Sequence, residues 1–358
     1  MDSGLAGVVV AETVLSHSDG ERGILWLRGH TLEEIVADYG YEGAVALLWE
    51  GFAGDGLSRA ALRAELGAAR GAAFARRDEW LPAAAARPLA EGVRLALACL
   101  PADSTPALIL ATLPVAVAAL VRTARGEVPL PPDPGLTTAA DLLRMIAGAP
   151  APEPRVAALD TYFAAVLENG LNTSAFAARV IASSGASLVA AALGAYCAFS
   201  GPRHGGAPGP TLDMLDAIAA SGDIAGWVER KLAGGERLMG FGHRVFRRGD
   251  PRAAALKEAL ARLGPAAGRL AFAAEVERHV ADAYARLKPG RPPLEPNVEI
   301  AAALLLDAVG IPRAAFMPVF AVARCAGWLA HAMEQRRSGR LVRPSSAYIG
   351  PLPAATRP

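Results

Sequence analysis

Cysteine is scarce in this sequence: Cys99, Cys197 and Cys325 are its only three thiols among 358 residues. They stand far apart in apolar or alanine-rich runs, with no CxxC and no metal-ligand spacing. That excludes a disulfide framework and a thiolate metal site, and leaves buried thiols in a reducing compartment. Charge is sparse too. Only 20% of residues are charged and the net charge is +1, which excludes a general polyanion-binding role. No basic tail and no nucleic-acid motif is present, so no nucleic acid is expected as partner. The stretch Met1 to Leu15 has no basic n-region and no cleavage pattern, so no signal peptide is expected and the location reads as cytoplasmic.

One uncharged run, Val180 to Pro202, is long enough to cross a bilayer. It carries Ser183, Ser184, Gly185, Ser187 and Ser200 and ends on a motif suited to water-soluble substrates. It is therefore expected to be a buried core helix, and no membrane association is expected.

What the chain has in quantity is apolar surface. Hydrophobic residues make up 53% of it, and alanine dominates them, which favours helices in close contact. Apolar pieces before residue 15 and at Ile24 to His30, around the turn-rich run Ser16 to Gly23, suggest a small N-terminal hairpin. Thr31 followed by Glu34 has the spacing of a capping box. Helices are expected over 41–51, 59–76, 88–100, 107–122, 155–167, 211–220, 223–233, 253–263, 267–287, 299–309 and 314–337. Pro114 would kink the fourth of these, and Pro210 could open the helix that follows it. Little strand is expected after residue 30, so the fold class is all-α.

The stretch that stands out is Gly240-Phe241-Gly242-His243-Arg244-Val245-Phe246, continuing to Asp250-Pro251-Arg252. Two glycines around an aromatic residue let a ligand approach the backbone closely. Others echo it along the chain: Gly201-Pro202-Arg203-His204-Gly205-Gly206-Ala207, Pro296-Asn297-Val298-Glu299, Phe320-Ala321-Val322-Ala323-Arg324 and Arg340-Leu341-Val342-Arg343-Pro344. In order and spacing these five motifs resemble the citrate synthase family.

The resemblance implies a large helical domain, 1–205 with 311–358, and a small domain, 206–310, with a cleft between them and a dimer that closes over substrate. It implies the joining of a short acyl-CoA to oxaloacetate, with no metal and no permanently bound cofactor; the coenzyme A thioester is a substrate. Such a reaction needs a base, donors for the enolate and for the ketone, and arginines to grip carboxylates through paired hydrogen bonds. By motif position, Glu299 is the base, His204 donates to the thioester carbonyl and His243 to the ketone. Arg252 and Arg324 clamp carboxylates, Phe320 packs on substrate, and Arg343 reaches the neighbouring subunit's site. The turn Leu238, Met239, Gly240, Phe241 and Gly242 would meet adenine through its backbone, with Arg247 and Arg248 near the coenzyme's phosphates.

Two positions depart from the family pattern where the chemistry needs it. Glu299 stands where the family has Asp, and a shift of roughly 1 Å in such a site can cost on the order of 100-fold in rate. Asn169 falls where the family has a substrate-contacting His, and losing a charge-assisted bond costs roughly 1.5–3 kcal/mol. Pro208 also replaces a usual Asn. Two readings follow: a citrate or 2-methylcitrate synthase acting as a homodimer, or a weak or silent paralogue serving as a regulatory or heteromeric partner.

Overall fold

The structure, a computed structural model, describes residues 5, 7–202, 204–205, 208–242, 246, 249–264 and 268–351. Three short strands open it: β1 (Ser16–Asp19), β2 (Ile24–Leu27) and β3 (His30–Thr31), antiparallel and in that order. Ser16 pairs with Leu27 and Trp26 with Thr31. The hairpin is present, but its first strand is the run expected to be a turn. The turn is shorter than expected because Asp19 Oδ1 accepts the N–H groups of Glu21 and Arg22, which tightens it. The valines expected in the strand are exposed instead, Val9 at 87% and Val14 at 60%.

Helices make up most of the rest. They are α1 (Leu32–Glu34), α2 (Gly40–Trp49), α3 (Arg59–Ala75), α4 (Leu81–Ala85), α5 (Leu89–Ala98), α6 (Pro106–Ala124), α7 (Thr138–Ala147) and α8 (Glu153–Val166). Then come α9 (Thr173–Ser183), α10 (Leu188–Phe199), α11 (Pro208–Ser221), α12 (Ile224–Ala233), α13 (Pro251–Ala261), α14 (Leu270–Leu287), α15 (Val298–Ala308) and α16 (Phe316–Ser338). The chain is all-α apart from the hairpin. The capping box at Thr31 and Glu34 is complete in both directions. Pro114 sits inside α6 without ending it. α11 begins at Pro208, two residues before Pro210; a missing N–H costs nothing at a helix start.

The run Val180 to Pro202 is not one helix. Gly185 takes a left-handed φ of +83° after α9, and Ser187 caps α10 by accepting the N–H of Ala190. Neither piece is long enough to cross a membrane. The helices that are, α6 and the stretch 313–338, have 78% and 94% of their apolar windows buried inside the protein. α16 is the central one. Tyr41 and Trp49 of α2 hydrogen-bond to its backbone at Val322 and Ala326, and one continuous core runs from Leu15 to Met333.

Burial does not extend to every thiol. Cys325 is buried, Cys99 half-buried and Cys197 exposed. The buried face of α10 carries Ala191, Ala192, Ala195, Tyr196 and Phe199, and Cys197 falls outside it.

One buried charge pair locks α3 to α7. Arg70 and Asp141 are both almost fully buried, with Arg70 Nε 2.8 Å from Asp141 Oδ2, and Arg70 also donates to the Leu136 and Asp133 carbonyls. Arg144 Nη2 also meets Asp141 Oδ1 at 2.8 Å, so removing Arg70 leaves the carboxylate with one of its two cations, two backbone carbonyls without their guanidinium donor, and a cavity where the buried side chain stood. Arg70→Ala should therefore lower stability by about 2–5 kcal/mol, measured by denaturant unfolding. A loss under about 1 kcal/mol would show that the pair is not a structural lock.

Candidate active site

The Gly-x-Gly turn is laced to the Pro-Asn-Val-Glu segment. Gly242 N–H donates to the Glu295 carbonyl at 2.7 Å, Asn297 N–H to the Gly240 carbonyl at 2.9 Å, and Asn297 Nδ2 to the Gly242 carbonyl at 2.8 Å. Gly240 has φ +80°, and a Cβ there would stand 2.5 Å from Ile300 Cγ1, so only glycine fits. This pairing fixes the start of α15. Asn297 caps it by accepting the N–H of Glu299, which places Glu299 in the first turn.

Asp250 joins a second helix to this point. Its Oδ1 accepts the backbone N–H of Arg252, and its two oxygens take Arg252 Nε at 2.9 Å and Nη2 at 2.7 Å. Oδ2 also accepts the N–H of Val298, the first residue of α15. Arg252 is thus buried and gripped by Asp250 on one edge. Glu299 is half-buried, and its Oε2 is sealed from solvent without a hydrogen-bond partner. Burial pushes its carboxyl up to about 7; Arg252 and Arg324 oppose the rise and Asp250 adds to it. A carboxylate near 7 is suited to taking a proton at neutral pH.

His204 lies just beyond the end of α10, its ring against Phe199 with centroids 5.0 Å apart. Its Nε2 is 2.8 Å from Ser174 Oγ and receives the Ser174 backbone N–H at 3.3 Å. Ser174 thus meets Nε2 with both its backbone N–H and its hydroxyl. Trp328 Nε1 donates to Ser174 Oγ from α16 at 2.9 Å, and Asn172 Oδ1 holds Ser174 from the other side. Burial, with Arg324 nearby, lowers the His204 imidazole to about 4. At neutral pH it is therefore a neutral donor.

α16 supplies Phe320 and Arg324. Phe320 packs edge-on against Phe199 and Tyr162. The Arg324 guanidinium lies 4.9 Å from the Phe320 ring centre, and its Nε donates to the Val166 carbonyl at 2.6 Å. Its Nη2 is buried without a partner. Burial, then Arg252, brings it down to about 10, so it stays cationic at neutral pH.

Asn169 follows the last turn of α8, and its Oδ1 is buried and unpartnered. Its neighbours are tied down. Ser16 Oγ donates to Glu168 Oε1 at 3.0 Å and accepts the Gly170 N–H at 3.1 Å, and His331 Nε2 lies 3.2 Å from the same Glu168 oxygen.

The structure therefore gathers His204, Arg252, Glu299, Phe320 and Arg324 into one constellation. Arg343 is not part of it; it lies exposed on the segment after α16. His243, Arg247 and Arg248 lie outside the described residues. Leu238 and Phe241 line a pocket of about 380 Å³ that also takes in Arg237, Lys288 and Arg291; Met239 is half-buried. Those three cations went unread in the sequence, as did Ser174, Trp328, Asp250 and Tyr162. Asp250 stood inside a motif; Tyr162 looked like any apolar helix position. Among the described residues no group of three or more His, Cys, Asp and Glu side chains is placed to share a metal ion.

A family model described as "Citrate synthase, C-terminal domain" matches residues 4–345. The chain belongs to the citrate synthase family. The citrate synthase of Haloferax volcanii is 35% identical over 97% of this chain and 95% of its own. The 2-methylcitrate synthase of Mycobacterium tuberculosis is 31% identical over 97% and 90%. A further Mycobacterium tuberculosis relative is 47% identical, but the match spans 56% of this chain and about half, 54%, of that protein's length. Among solved structures, the citrate synthase of Thermotoga maritima superposes with a TM-score of 0.85 at 27% identity, covering 100% of this chain and 99% of its own. The Thermoplasma acidophilum citrate synthase, 23% identical with a TM-score of 0.86 and the same coverage, shares the fold.

The raised carboxyl of Glu299 has a thermodynamic consequence. Between its ordinary value near 4.5 and about 7 the folded protein holds a proton that the unfolded chain has lost. The folded state binds more protons there, so this group's contribution to stability falls as pH rises through that window. Glu299→Gln should unfold at a higher temperature than the parent at about pH 8 and close to it at about pH 4. An equal difference at both pH values would show that Glu299 titrates normally.

Proposed function

We propose that this chain condenses acetyl-CoA or propionyl-CoA with oxaloacetate, giving citrate or 2-methylcitrate and free coenzyme A. The observation that carries this reading is Glu299: a carboxyl with a raised proton affinity and an unpartnered oxygen, set beside two buried arginines, one of which, Arg324, also lies near the neutral His204. Glu299 removes a proton from the carbon beside the thioester. His204 donates to the thioester oxygen as negative charge grows there. The new carbanion attacks the oxaloacetate ketone, which His243 polarises by its motif position. Water then cleaves the thioester and coenzyme A leaves.

Arg324 and Arg252 hold the carboxylates of oxaloacetate, and Phe320 packs on it. The adenosine end lies by the turn Leu238 to Gly242, with its phosphates near Arg237, Lys288 and Arg291 and with Arg247 and Arg248 as further partners. Segment 206–310 acts as the small domain against 1–205 and 311–358. A homodimer in the cytoplasm completes the reading, with Arg343 reaching the neighbouring site. The Thermoplasma acidophilum structure of the same fold is a ternary complex with carboxymethyl coenzyme A and oxaloacetate, which supports both ligand classes. Relatives named for citrate and for 2-methylcitrate cover the chain equally, so the acyl chain is open between the two. A second reading, a weak or silent partner subunit, is favoured by Asn169 and Glu299 in place of the family's His and Asp.

Thiol release from each acyl-CoA with oxaloacetate separates these readings. Glu299→Gln should abolish turnover and leave oxaloacetate binding nearly intact, while Glu299→Asp keeps substantial activity. Asn169→His should act mainly on KM. In the parent, kcat/KM should fall as pH drops below about 7, because the base must be ionised. Full turnover in Glu299→Gln would remove the residue from the mechanism. No turnover in the parent with either acyl-CoA, restored only by both reversions together, would favour the silent subunit.

The dimer is tested by dilution. Activity should fall as sedimentation shows dissociation, and Arg343→Ala should lower activity without changing the dimer. A fully active monomer would end the cross-subunit role.

A further inference from the structure

We infer that the Tyr162 hydroxyl is a substrate-binding donor, meeting a carboxylate of the 2-oxo acid beside Arg324. The inference rests on the acyl-CoA condensation proposed above. Tyr162 lies on α8 and is fully buried, and its hydroxyl has no hydrogen-bond partner. A buried hydroxyl without a partner destabilises the unliganded fold, and tyrosine oxygens inside proteins normally find one. The ring explains its own burial, packing edge-on against Phe320 at 6.1 Å and tilted against Phe163 at 6.0 Å. Phenylalanine would pack as well, so the oxygen needs another reason.

That reason lies in its surroundings. Two other site atoms are also buried and unpartnered: Arg324 Nη2 and Glu299 Oε2. Tyr162 is close enough to both residues, and to Arg252, to interact electrostatically with each. Burial, then the charge of Glu299, holds the phenol well above its ordinary value, so it stays protonated and donates. An O–H and a guanidinium N–H with no acceptor call for an anionic oxygen, and a carboxylate provides one. A neutral donor also suits this place. A third arginine would grip a carboxylate too, but its charge would pull the proton affinity of Glu299 down and weaken the base.

Tyr162→Phe removes one oxygen and keeps the ring. Four quantities are read: oxaloacetate affinity by calorimetry without acyl-CoA, KM and kcat for thiol release, and the unfolding temperature without ligand. The oxaloacetate Kd should rise about ten-fold or more, the effect of losing a hydrogen bond to a charged group. KM should follow it while kcat stays within about two-fold, since the bond is made in ground and transition states alike. The unfolding temperature without ligand should stay level or rise, because an unsatisfied group has gone. A structural hydroxyl would give the opposite sign, so a clear drop overturns the inference. So does an unchanged Kd in a variant of a parent that binds oxaloacetate and turns over; that result leaves the proposed reaction standing. A parent that binds no oxaloacetate ends both.

Discussion

The carboxylate of Asp250 is the tie on which the site depends. It caps α13, holds the Arg252 guanidinium along one edge, and accepts the first N–H of α15. Two helix starts and one buried cation thus meet at two oxygens. A buried ion pair is worth having only when its geometry is good and its remaining hydrogen bonds are made, and here the carboxylate meets both conditions. Because Arg252 is held, it stands at a fixed place beside Glu299. The carboxyl of Glu299 then settles near 7 through opposing effects: burial and Asp250 raise it, and the arginines lower it.

Desolvation sets the character of the other groups as well. It keeps His204 neutral, keeps the phenol of Tyr162 protonated and weakens the hold of Arg324 on its charge. Among the described residues the constellation carries two buried arginines, Arg252 and Arg324, beside neutral groups. That balance leaves the proton affinity of Glu299 raised. The ring of His204 is fixed from behind, by the Ser174 N–H and hydroxyl with Trp328 in support. Preorganised donors of this kind need no reorientation as charge develops.

The small hairpin has a part in this. Ser16, the first residue of β1, bridges Glu168 and Gly170 on either side of Asn169. Arg179 ties α9 to α16 through Glu334 and to the N-terminal segment through the Glu12 carbonyl. A few strand residues in an otherwise helical protein thereby fix the loop that carries Asn169. Substituting His by Asn at 169 changes what that loop presents, while its backbone remains fastened at both ends.

Much of this was legible in the residues. Alanine-rich apolar periodicity carries the helices, because helix formation is local and its caps lie within a few residues. The motifs name His204, Arg252, Glu299, Phe320 and Arg324, which the fold gathers together. Other features were settled only by packing between distant segments. A short Asx turn made a strand of Ser16–Asp19, and a left-handed Gly185 split the apolar run that looked like one helix. The exposure of Cys197 followed from which face of α10 its neighbours covered. Tyr162 had no signal, since an apolar helix position becomes a site only when residues from α13, α15 and α16 arrive beside it. The sequence by itself determined which chemistry was on hand and in what order along the chain. Tertiary structure decided the proton affinities, because burial and the distances between charges do not exist until remote segments meet.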